Sequence, residues 1–379
     1  MRPAKQSVIL QFFFAAALVS VAARGAEPLG ASSCSTSGCH GGAGEKSSQF
    51  VTWSQRDVHS RTFSALTTSR SARMAEALSI PDPASSPRCV VCHAPLATVE
   101  PASLGAGVEA SEGVSCVSCH NLPDGWIRGH TRSDWTHADR VAAGMRDLND
   151  LYTRANTCVA CHQNIDPEIL GTGHHPALVF EMDGQTQDEP RHWTDHTQGI
   201  GAQAWFVGQA VALREVSWAL LNGRAEAARS APVAESLGWL LDRSGLDFKE
   251  QPFGDAAQTP ASLASMVEKA DILAKKAART WDPAFATAAL RRLASTKGDF
   301  SPGLQPLLIQ ASRADRLVLA LDRLLAAMPA ATRPVAASES LDRLFHLAQS
   351  QPDFDPAAFS LELGRFSGAL GGVSVSAGP

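Results

Sequence analysis

The eight cysteines of the chain fall in four tight pairs, Cys34/Cys39, Cys89/Cys92, Cys116/Cys119 and Cys158/Cys161. Each pair is followed at once by a histidine: His40, His93, His120 and His162. No cysteine is left over. With 12 histidines in 379 residues, four such placements would arise by chance with a probability on the order of one in a million. Two thiols followed directly by an imidazole are what covalent attachment of c-type haem demands: the sulfurs bond two vinyl groups on one porphyrin edge, and the histidine ligates the iron. Three motifs, CVVCH, CVSCH and CVACH, have the usual two-residue gap. The first holds Ser35-Thr36-Ser37-Gly38 between its cysteines, so these small residues must loop out for both sulfurs to reach; a disulfide or two free thiols is the competing reading there. Zinc competes for Cys-x-x-Cys pairs generally, but four pairs each with an adjacent histidine do not follow the usual finger layout. The expected cofactors are four covalently bound haem c groups with their iron.

Each iron can take a second axial ligand, and the remaining histidines supply candidates. His59, His130, His137, His174, His175, His192 and His196 all lie within or just beyond the motif span; His346 alone lies in the C-terminal half. Bis-histidine coordination is therefore expected. His59 closes the segment Trp53-Ser-Gln-Arg-Asp57-Val-His59, whose aromatic ring could pack on a porphyrin. His174 and His175 sit in a Gly-Thr-Gly-His-His-Pro turn, with His174 the expected ligand. At least one of His130 and His137 is expected to bind iron. His192 and His196, four apart, would share one face of a helix, with a ligand or a propionate-bonding role. His346 shares a polar helix face with Asp342 and Arg343 and reads as a surface residue.

The elements that must position these groups divide near residue 200. Residues 27–200 are rich in Gly, Pro, Ser, Thr and His and predict a loop-rich multihaem cytochrome domain with short helical pieces, in which porphyrins stand in for a conventional core. About 40 residues serve each haem, too few for a separate core beside each one, so the haems should lie close together. Residues 201–369 predict a helical bundle domain, giving a mostly α fold. Gln203–Leu221 is almost continuously apolar but carries Arg214 and Glu215, so it reads as a buried helix. Thr259-Pro260, Asp282-Pro283 and Asp355-Pro356 pair a capping residue with a proline at the first helical position. Leu307, Ala311, Ala314, Val318, Leu321, Leu325 and Met328 form a seam of alternating fours and threes that ends at Pro329. Residues 370–379 read as a flexible tail.

Composition narrows the function. At 44% hydrophobic and 19% charged, the chain is suited to globular folding. Its net charge of −5, from 33 basic and 38 acidic side chains without a basic run, argues against a nucleic-acid partner. Residues 1–26 have the parts of a signal peptide: Arg2 and Lys5, an apolar block to Ala23, then small residues. Removal of Arg2, Lys5 and Arg24 would take the charge from −5 to −8. A periplasmic location follows as an expectation, with donor and acceptor proteins as redox partners and room for loose membrane association.

The first motif, the Trp53…His59 segment, and the motifs in Arg88-Cys-Val-Val-Cys-His93, Gly113-Val-Ser-Cys-Val-Ser-Cys-His120 and Thr157-Cys-Val-Ala-Cys-His162 resemble the small tetrahaem cytochrome c family typified by the electron acceptor of hydroxylamine oxidoreductase in nitrifying bacteria. The resemblance spans roughly residues 30–200. It implies a periplasmic electron-transfer protein with haems in stacked and perpendicular pairs, and distal ligands at His59, at a histidine after the third motif and at His174. It also implies that the haem on Cys89, Cys92 and His93 can lack a distal ligand and so bind a small molecule such as nitric oxide. Two functions are expected in order: an electron carrier that needs no catalytic residue, then a multihaem oxidoreductase with one five-coordinate haem that reduces a small nitrogen or sulfur species.

Overall fold

The computed structural model describes residues 29–371 except 101–103, 106–107, 110, 124, 194, 196–199, 246–258 and 351–352. The expected signal peptide, His196 and nearly all of the expected tail lie outside the described residues. Every regular element within them is a helix, as the sequence predicts.

The motif-bearing half is built of short helices: α1 (Gln49–Arg56), α2 (Thr62–Leu66), α3 (Ser69–Ala77), α4 (Pro87–His93), α5 (Cys116–His120), α6 (His137–Ala142), α7 (Leu151–His162), α8 (Pro167–Gly171) and α9 (Met182–Asp188). Apart from α7 and α9 they bury little; a small cluster of Leu66, Val90 and Ala94 joins α2 to α4. Such a sparse apolar interior fits a segment whose core is to be completed by large planar groups.

The second half contains α10 (Ile200–Leu221), α11 (Ala227–Ser244), α12 (Pro260–Arg279), α13 (Ala284–Ala294), α14 (Leu307–Ala326), α15 (Val335–Ala348) and α16 (Pro356–Gly371). α10 is the axis. It is apolar around most of its circumference and buries 14 residues, among them Trp205 and Phe206, between α12, α11, α7 and α9, the behaviour of a core helix. Among the described residues no helix is long and apolar enough to cross a membrane. Thr259 caps α12 by accepting from Ser262 N–H, with Pro260 in the first turn. Asp355 accepts from Ala357 and Ala358 N–H at the start of α16. α13 opens one residue later than predicted, at Ala284, with Asp282 accepting from its N–H. The α14 seam is buried from Ala311 to Leu325, while Leu307, in the first turn, is exposed.

One hydrophobic cluster runs through both halves. Leu151, Ala155 and Val159 of α7, at spacing four, pack with Phe180 and Met182 into the same cluster as α10. A polar clamp reinforces this joint. The Tyr152 hydroxyl donates to Asp271 Oδ1 (2.6 Å) and accepts from Arg214 (3.0 Å), and Arg214 also pairs with Asp271 (2.8 Å), with Glu215 and with Asn156. The helix carrying the fourth motif is therefore seated on the bundle.

Candidate haem-binding site

The three regular motifs each end a helix. Cys89, Cys92 and His93 finish α4, Cys116, Cys119 and His120 are the termini of α5, and Cys158, Cys161 and His162 close α7. On a helix, residues three apart lie on one face, which points both sulfurs of a pair the same way. The first motif is built differently: Cys34 ends a 3-10 turn (Ala31–Cys34), and Ser35–Gly38 loop outward through hydrogen bonds from Cys39 N–H and Gly41 N–H to Thr36 O. Gly41 is indispensable to this loop, because a Cβ there would stand 1.7 Å from the Ser35 carbonyl oxygen.

Each motif histidine faces one further imidazole. Ring centroids are 6.2 Å apart for His40 and His130, 6.1 Å for His162 and His59, 6.3 Å for His93 and His175, and 6.4 Å for His120 and His192. The His40 and His130 rings are nearly parallel, at 19°, and the other three pairs are close to edge-on, at 65–68°. A metal bound from both sides, with about 2 Å from metal to nitrogen and about 1 Å more to each ring centre, would separate the centroids by about 6 Å. The four spacings thus fit iron between each pair.

Hydrogen bonds at the far side of the rings point the same way. Nδ1 of His40 meets Gln49 Oε1 (3.0 Å), Nδ1 of His59 meets Asp57 Oδ1 (2.9 Å), and Nδ1 of His93 meets Thr62 O (3.1 Å). His130 bonds Ile127 O (2.5 Å) and His175 bonds Pro176 O (2.8 Å) in the same manner. All five partners are oxygens that accept, so Nδ1 carries the proton and the Nε2 lone pair is left for a metal.

His59 is the most closely held. Asp57 Oδ1 accepts from both the backbone N–H and the ring of His59, raising the pKa of that ring. Burial pushes the Asp57 carboxyl up, but the His59 hydrogen bonds outweigh it and leave the group below its ordinary value. Glu189, whose pKa is raised by burial and by the charge of Asp57, completes a trio with ligand atoms within 4.8 Å of one another. With Nδ1 of His59 already engaged, this trio serves as an anchor for the ring. Gly113, at φ +76°, lets the chain before the third motif pass so close that Val114 N–H bonds His59 O (3.0 Å); a Cβ there would lie 2.6 Å from that oxygen.

The sulfurs show which motifs are neighbours. Cys34 and Cys116 share a hydrogen bond that draws Cys34 down to about 7 and pushes Cys116 up, and Cys92 and Cys161 do the same, with Cys92 drawn down to about 7. Burial pushes Cys119 to about 11 and Cys158 to about 12, and the charge of Cys119 is felt at both Cys158 and Cys161. Spatially the motifs run first, third, fourth, second.

Several expected ligands sit elsewhere. His175, not His174, faces His93; His174 is exposed, in the left-handed backbone region at φ +55°. His137 is the first residue of α6 and pairs through Nε2 with Asp147 (2.9 Å) at the surface, so of the two histidines after the third motif it is His130 that meets a motif histidine. His192 faces His120 from residues 191–193, which carry no helix; His196 lies outside the described residues. His346 is exposed on α15. Sequence reasoning passed over Gln49, Asp57 and Thr62 as orienting groups; the Asp-x-His spacing of Asp57 and His59 was the one signal available, since a carboxylate two residues back can cap the following turn.

Residues 33–121 match the family of cytochrome c554 and c-prime. The matched segment holds the first three motifs and His59, and it supports a multihaem c-type cytochrome that binds haem c covalently and works in electron transfer. It ends before the fourth motif and before His130, His175 and His192. No curated protein and no solved structure matches the chain.

Proposed function

We propose that this protein is an exported, periplasmic tetrahaem c-type cytochrome that carries electrons between redox partner proteins. The observation that carries the reading is the set of four ring pairs, each joining one motif histidine to one further histidine at 6.1–6.4 Å. In this reading His40/His130, His93/His175, His120/His192 and His162/His59 bracket the four irons, and the four cysteine pairs hold the porphyrins. Bound haem c would supply reversible one-electron chemistry at modest reorganisation cost. The chain's own part is to fix and crowd the sites: sulfurs of the first and third motifs, and of the fourth and second, sit against each other, and those of the third and fourth are near enough to feel each other's charge, so the first and second motifs form the two ends of a row. Exposed Cys39 and half-exposed Cys89 at those ends suit exchange with partners.

His175 opposite His93 favours the carrier over an oxidoreductase with an open iron at the second motif, because it fills the position at which a substrate would bind. The basic, apolar and small residues of the first 26 positions support export. Haem stoichiometry by the pyridine haemochrome assay, with the electron paramagnetic resonance spectrum of the ferric protein, tests the proposal. Four haems, all low-spin and unresponsive to cyanide, are expected. A high-spin ferric signal in the native protein would overturn the closed-carrier reading, and three haems would exclude Cys34–Cys39 as an attachment site.

A further inference from the structure

We propose that Arg154 is the positioning residue that holds His192 opposite His120, an inference that rests on the reading of those two rings as ligands of one iron. His192 belongs to residues 191–193, which have no helix of their own to fix them. Side chains do the holding. Arg154 lies on the buried face of α7 with its guanidinium almost wholly enclosed; Nε donates to Leu148 O (2.7 Å) and the terminal nitrogen to Asp195 Oδ1 (3.2 Å). Its guanidinium carbon stands 5.9 Å from the centre of the Trp193 ring, and that ring meets the His192 ring edge-on at 5.2 Å. The chain immediately after His192, at Trp193 and Asp195, is thus tied to one buried cation on the helix that also presents Cys158, Cys161 and His162.

The ion pair is enclosed on both sides, with 9% and 11% of the Arg154 and Asp195 side chains exposed. Removing the guanidinium would strand the Asp195 carboxylate in a low-dielectric setting. The segment has an easy escape: Arg191, at 39% exposure, already lies 3.6 Å from Asp195 and can draw the carboxylate toward water. His192 would leave with it. A structural prop elsewhere on α7 would have no such selective effect on the third motif.

The test uses the purified holoprotein and its Arg154→Ala, Asp195→Ala and His192→Ala variants, each checked for four haems by pyridine haemochrome. Ferric electron paramagnetic resonance spectra are recorded with and without added imidazole. His192→Ala should turn one haem in four high-spin, and imidazole should return it to low-spin. Arg154→Ala and Asp195→Ala should open that same haem, with the other three low-spin signals unchanged. Asp195→Ala keeps the test open if Arg154→Ala fails to fold. The positioning role is overturned if His192→Ala opens a haem while the other two variants stay fully low-spin, or if they disturb several haems at once. If His192→Ala itself leaves four low-spin haems, the ligand assignment fails instead.

Discussion

His175→Ala and its neighbour His174→Ala make the sharpest contrast the structure offers. Only the His175 ring faces His93, at 6.3 Å, whereas His174 is turned to solvent by its left-handed backbone. Because the ring pairs number four, His175→Ala should convert one quarter of the ferric haem to a high-spin form, and His174→Ala should convert none. The loss should be local. His175 is half-buried, and its one side-chain hydrogen bond is to the adjacent Pro176, so truncation should cost about 0.5–1 kcal/mol of stability and leave helix content intact. Quantified electron paramagnetic resonance with visible spectra provides the assay, and millimolar imidazole should refill the opened position in His175→Ala. Cyanide or nitric oxide should then bind that variant and not the native protein. A high-spin haem in His174→Ala, or four low-spin haems in His175→Ala, would refute the geometric assignment.

Other outcomes follow from single contacts. Gly41→Ala would place a methyl group 1.7 Å from Ser35 O, so the loop between Cys34 and Cys39 should fail to close and haem content should fall from four per chain to three, read by haemochrome and intact mass. Tyr152→Phe removes the hydroxyl that joins Asp271 and Arg214 across the two halves; it should destabilise the protein by about 1–2 kcal/mol in denaturant titration, and a null effect would discount the clamp. Glu181, pushed up to about 7 chiefly by burial, favours folding in its protonated form. Its contribution is fully present below about pH 4.5, the ordinary glutamate range, and is lost as pH rises through about 7. Glu181→Gln should therefore gain stability relative to the native protein by about 1–3 kcal/mol more at pH 8 than at pH 4.5, and equal thermal-midpoint differences at the two pH values would contradict this.

Much of the mostly α fold is legible in the sequence because its signals are local. Thr259-Pro260 and Asp355-Pro356 set helix starts within one turn, and the α10 apolar run announces its burial. The motif cysteines and histidines stand out in the sequence for the same reason, since the attachment chemistry they imply demands a fixed local spacing. The partners of the motif histidines are not, because each pair joins residues far apart in sequence and only the tertiary path decides which rings meet. Local backbone chemistry then selects between near neighbours. The Thr136–Asp139 capping box pulls His137 into the exposed first turn of α6. Pro190 forces Glu189 into an extended conformation, which ends α9 before His192 is reached. His174 and His175 differ in outcome because one φ angle sends their rings apart.

The pairings are interleaved: His59 crosses to His162, His130 returns to His40, and His120 waits for His192. A nascent chain that stopped after the third motif would hold no finished pair of rings, His40 with His130 being completed first, at residue 130, and a chain stopped before residue 192 would hold three. Closure of the set therefore depends on the very end of the motif-bearing half, immediately before α10 begins. With haem bound at each ring pair as proposed, the interleaving would make the cofactor sites cross-links whose completion requires the whole segment to be threaded correctly, and maturation would be coupled to folding.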